Sequence, residues 1–104
     1  MSEFKGTKGK WFIDNEESHI MSNDVYCNVI STKNTIGLAD IYGDDEQAKA
    51  NALLISKAPE MLEMLKEVIE FTKKVQAPST FALLLRQEIE QLIKSATELY
   101  GKGL

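Results

Sequence analysis

Arginine, histidine, cysteine and tryptophan each occur once in the 104 residues, as Arg86, His19, Cys27 and Trp11. A lone cysteine rules out an internal disulfide framework and suits a reducing cytosol. Zinc sites draw about four donors from Cys, His or carboxylates, and this chain offers only two soft ones. No metal is expected. Catalysis needs groups of matched pKa within hydrogen-bond reach, and no spacing joins His19 to Cys27. They read as a surface histidine and a sheet-core cysteine, and no enzyme is expected. The glycines spell neither a phosphate loop nor a dinucleotide fingerprint, so no cofactor is expected. No apolar run approaches the roughly 20 residues of a membrane span, and MSEFKGTKGKW lacks the apolar centre of a secretory signal. The expected location is the cytoplasm. A net charge of -4 excludes general nucleic-acid binding, which relies on basic clusters. Lys5, Lys8 and Lys10 against Glu3 still leave room for a local basic patch.

What is present is ordinary for one globular domain, 43% hydrophobic and 27% charged. After a loose lead-in, Trp11-Phe12-Ile13 reads as a strand and Asp14-Asn15 as a turn. Ser18 to Met21 is a possible short strand, followed by a turn at Ser22-Asn23-Asp24. Val25 to Ile30 alternates cleanly, and Ile36 to Tyr42 gives the next strand. Asp44-Asp45-Glu46 lacks the glycine and spaced carboxylates of a calcium loop and reads as a helix start. Strong helix formers fill 47–57. Pro59 should break the chain there and begin a second helix over 60–74. That helix carries Met61, Leu62, Leu65, Val68, Ile69 and Thr72 at helical spacing. Gln76-Ala77-Pro78-Ser79 is a further break, with Ser79 or Thr80 as cap. The last helix shows the stripe Phe81, Leu85, Ile89, Leu92, Ala96, Leu99, and Gly101-Lys102-Gly103 ends it. The expected fold is α+β over 1–104. A small antiparallel β-meander of three or four strands (10–42) is packed by a bent helix and a C-terminal helical hairpin (44–100).

Several residues suit binding better than catalysis. Asn51 lies mid-helix among Ala48, Ala50 and Ala52, where asparagine is a poor helix former. It either reads a base, ribose or phosphate edge, or bonds the neighbouring sheet. Tyr42, nine residues earlier, is expected near it across the strand-to-helix corner, or is an ordinary half-buried sheet tyrosine. Arg86 either clamps a phosphate or carboxylate or pairs with Glu90. Phe81 to Leu85 and Met61, Leu62, Met64, Leu65 are apolar on more than one helix face. That surplus predicts a homo-oligomer, with Met64 and Leu83 the first interface candidates.

Residues 49–70, KANALLISKAPEMLEMLKEVIE, resemble a group of short phage and prophage proteins with the run A-N-A-x-L-I-x-x-A-P-E-L-L-E-x-L. Gly9-Lys10-Trp11 and the Ala39 to Glu46 segment resemble the same group. In order of elements the chain is also similar to anti-Thoeris sponge proteins of phages. Those oligomerise and sequester cyclic nucleotide immune signals without cleaving them. The resemblance implies a small anionic nucleotide partner in the host cytoplasm, with Tyr42 and Asn51 as contacts. The available cations on the later helices are Lys73, Lys74 and Arg86. The rivals are an interaction module that inhibits a host protein and a minor structural or assembly protein.

Overall fold

A computed structural model gives three strands, β1 (Phe12–Ser22), β2 (Val25–Ser31) and β3 (Ala39–Gly43). Three helices follow, α1 (Asp45–Ser56), α2 (Ala58–Lys74) and α3 (Thr80–Thr97). It describes residues 3–22, 25–75 and 79–98, the side chains of 21 and 22 aside. The turn expected at Asn23-Asp24, the break at 76–78, Leu99 and the glycines after it lie outside these. The α+β class holds, with a three-stranded antiparallel sheet in the order β1-β2-β3. Two compact units are present: residues 8–60, and residues 61–104 with 1–7.

The turn expected at Asp14-Asn15 is instead a bulge inside one long strand. Asp14 pairs with Val29 and His19 with Cys27, so β1 advances five residues where β2 advances two. Side chains hold the extra length. Asp14 Oδ1 accepts from the Glu16 and Glu17 amides at 3.1 and 3.3 Å. The Ser18 hydroxyl donates to the Asp14 carbonyl at 2.7 Å and accepts from the Val29 amide at 3.0 Å. It thus satisfies a ladder donor that the bulge would otherwise strand. β3 is shorter than the pattern predicted. Ile36 is exposed in the connection, where Gly37 has a φ of 74° and donates to Ser31 Oγ at 3.0 Å. From Cys27 to Ser31 β2 is buried at every position, as a central strand should be.

Asp44 caps α1 by accepting from the Gln47 amide at 2.9 Å, and Asp45 and Glu46 suit the positive end of the helix dipole. Ala48, Ala52 and Ser56, four apart, are the buried residues of α1, which contacts all three strands. A Cβ on Gly43 would point at Ala48, 3.5 Å away. By strand alternation the α1 side of the sheet therefore carries Gly43, Ile41, Tyr26, Asn28 and Ile30. Lys57 ends the helix and Pro59 sits in the first turn of α2, as the sequence predicts.

The second unit has Ile69 and Ile93 as fully buried apolar side chains. On α2 the covered stripe is Leu62, Leu65, Ile69 and Thr72. Ser79 caps α3 by accepting from the Ala82 amide at 3.1 Å. The stripe expected on α3 is corrected. Phe81, Leu85, Leu92 and Ala96 are exposed, while Ala82, Arg86, Ile89, Ile93 and Thr97 are covered. An unbroken apolar run from 81 to 85 carries no helical phase. The true covered face also includes an arginine stem and a threonine, which hydropathy undervalues.

Candidate functional site

Two regions stand out: a hollow beside the β1 bulge and the exposed apolar faces of the later helices. The hollow, about 190 Å³, lies within the first unit. Asn15, Ser18, His19 and Ile20 come from β1, Tyr26, Cys27 and Asn28 from β2, and Asp45 and Lys49 from α1. The bulge supplies the space, because its extra residues swing β1 off the regular ladder. Lys49 Nζ pairs with Asp45 Oδ1 at 3.1 Å, both partly exposed. Asn28 is only 6% exposed. Next to this hollow, sharing Tyr26 and Asp45, is a more open recess lined also by Asp44 and Glu46.

The residues singled out from sequence are dispersed. Tyr42 pairs with Cys27 and therefore projects from the sheet face opposite α1, 55% exposed. Asn51 is exposed on α1, so the strand-to-helix corner separates the two instead of joining them. Lys73 lies 3.4 Å from Glu70, and Lys74 is exposed in the same last turn of α2. Arg86 Nε is 3.7 Å from Glu90 Oε1, the ion pair that was its competing reading.

One juxtaposition was not legible in the spacing. His19, Cys27 and Tyr42 form a row across the three strands, because the bulge shifts the register. The histidine donates from Nδ1 to the Glu17 carbonyl at 3.0 Å. Cys27 is buried, as expected of a sheet-core thiol. The Cys27 thiol and then the Asp40 carboxylate hold the Tyr42 phenol above its ordinary pKa, followed by burial and a hydrogen bond to the thiol. Among the described residues no group of three or more His, Cys, Asp or Glu could hold a metal ion.

The apolar surplus is on the surface. On α2, Met61, Met64 and Phe71 are exposed and Val68 half-buried, with Val75 exposed just past the helix end. Their spacing, three-four-three-four, is a heptad seam lying beside the covered stripe. On α3, Phe81, Leu83, Leu84, Leu85 and Leu92 are 39% to 75% exposed. Met64 and Leu83 both belong to these exposed sets.

The profile of the family described as Salmonella phage P22 protein Y8K6 matches residues 1–99. The chain belongs to this phage family. No curated protein and no solved structure matches it. Among the described residues, no helix of this phage protein is long and apolar enough to cross a membrane. Sequence reading missed Ser18, Tyr26 and Asn28 as lining residues. The one usable signal was a polar Asn28 inside an otherwise apolar central strand.

Proposed function

We propose that this phage protein is a non-enzymatic binding protein that self-associates through the outer face of α2. The observation that carries this reading is the seam Met61, Met64, Val68, Phe71, Val75, exposed at every position but the half-buried Val68. A monomer gains nothing by keeping a heptad stripe in water, whereas a second copy of the same helix covers it. The charges favour an antiparallel partner. Glu60 and Glu63 stand at one end of α2, and Lys73 and Lys74 at the other. Two antiparallel copies bring each acidic end beside the partner's basic end. Parallel copies would put like charges together. The exposed leucines of α3, Leu83 among them, extend the surface available for assembly.

A second reading is sequestration of a small cyclic nucleotide at a subunit junction in the host cytoplasm, as the likeness to anti-Thoeris sponges suggests. It is favoured by the solvent-facing Tyr42 ring and Asn51 amide. The acid-lined recess at Asp44, Asp45 and Glu46 repels phosphate, so such a site would have to be assembled elsewhere. Sedimentation equilibrium over a concentration series tests self-association. The expected result is a concentration-dependent dimer or larger species that Met64→Glu and Phe71→Glu dissociate while helix content is kept. A wild-type monomer at all concentrations overturns it. A monomer that captures one host protein through α2 would instead support the inhibitory module.

A further inference from the structure

We infer that the hollow between the β1 bulge and α1 is a binding site for a small, neutral, planar molecule carrying adjacent hydrogen-bond donor and acceptor groups, as in a primary carboxamide or a nucleobase edge. Asn28 is the residue that points to it. The residue is more than nine-tenths buried in the central strand, yet its side chain makes no hydrogen bond with another described residue. No side-chain polar atom among the described residues is both sealed from solvent and unpaired. The little exposure that Asn28 keeps therefore belongs to its carboxamide, which opens into the hollow it lines. The amide thus takes its hydrogen bonds only from what enters the hollow, water or a ligand. A central-strand position paired across the ladder with Ile41, and flanked on its own face by Tyr26 and Ile30, would ordinarily hold another apolar residue.

The surroundings narrow the ligand. A carboxamide offers one acceptor oxygen and two donor hydrogens, and so matches a donor–acceptor pair on a flat edge. The half-buried Tyr26 ring supplies an apolar wall for a planar body. The Ser18 hydroxyl is already committed as donor to Asp14 and acceptor from Val29, and His19 Nδ1 to the Glu17 carbonyl, so the buried Asn28 amide sets the pattern, with the exposed Asn15 side chain and the rest of the His19 ring at its side. Lys49 is engaged with Asp45 at the mouth, and Asp44 and Glu46 stand nearby, so an anionic ligand is disfavoured. At about 190 Å³ the space is below the roughly 300 Å³ of a drug-sized pocket, and takes a ring without its phosphates. The site lies wholly in the first unit and does not depend on self-association through α2.

Nitrogen-15 NMR of the full chain, titrated separately with nicotinamide, adenine and uracil, tests the assignment. Saturable movement of the Asn28 side-chain amide signals is expected for at least one of the three, and which one responds separates carboxamide from nucleobase. Asn28→Leu should weaken that binding by roughly tenfold or more, the loss of one well-made buried hydrogen-bond pair. Ile36→Ala, in the exposed connection between β2 and β3, should leave it unchanged. If Asn28→Leu fails to fold, the wild-type Asn28 signals still decide. Unmoved Asn28 signals at millimolar levels of all three probes, or binding that Asn28→Leu leaves intact, overturn the inference.

Discussion

Tyr42 shows how one residue acquires properties from its cross-strand neighbours. Its phenol stands beside the Cys27 thiol and the Asp40 carboxylate, so ionising it adds negative charge where negative charge already gathers. The folded-state pKa therefore lies above the unfolded value of about 10. The native chain holds this proton more tightly than the unfolded chain. The associated stability is complete below the unfolded pKa and is lost as pH rises through the raised one. Ultraviolet titration of the phenolate, with Tyr42→Phe identifying its step, should show that step moving down in Cys27→Ala. Asp40→Asn should move it down by less, since the thiol is the larger cause. No movement in either variant would contradict the geometry. The alternation of the strands that carry Cys27 and Tyr42 was legible in the sequence, but their pairing was not, since Tyr42 was expected beside Asn51. Nor was the His19 register, because it depends on residues that a strand pattern does not count.

At the scale of elements, local chemistry decides more than hydropathy does. Asp14-Asn15 carries a turn signal, yet Ser18 turns the segment into a bulge by standing in for a missing ladder acceptor. Ser18→Ala leaves the Val29 amide unpaired in a buried strand and should cost about 1–3 kcal/mol in denaturant unfolding. A change within error would mean that water replaces the hydroxyl. Asp44→Ala removes the cap of α1 and should cost about 1 kcal/mol, with Asp44→Asn nearly neutral. Equal losses in the two variants would indicate that charge, not the capping bond, is what Asp44 supplies. Helix starts at Asp44, Pro59 and Ser79 were readable because caps and prolines act through bonds to nearby residues. The phase of α3 was not. Its apolar run from Phe81 to Leu85 fits several rotations about the helix axis, and tertiary packing selects the one that covers Ile93 and Thr97.

For the whole molecule, the sequence-level surplus of apolar residues and their exposure are one fact seen twice. Two neighbouring stripes on α2, offset by one residue, cannot both be covered by one side of a small unit. The covered stripe contains Ile69, and the outer one contains Met64 and Phe71. Membership of the phage family is compatible with either a self-assembling binder or a blocker of another protein. Within the first unit, Tyr42 and Asn51 stand on opposite sides of the sheet-to-helix corner. The ion pairs along α2, such as Lys73 with Glu70, are exposed and worth little individually. Glu60 with Lys57 and Glu63 with Lys66 are paired in the same weak way, so these end charges can exchange partners with a second copy at little cost.

The most direct test of antiparallel self-docking is charge-reversal complementation followed by analytical ultracentrifugation. One variant carries Glu60→Lys with Glu63→Lys, and the other Lys73→Glu with Lys74→Glu. Each alone should associate more weakly than wild type, since both of its helix ends then repel a second copy. An equimolar mixture should recover the dimer, with opposite charges restored at both ends. Variants that associate as well as wild type, or a mixture that stays monomeric, would contradict the account.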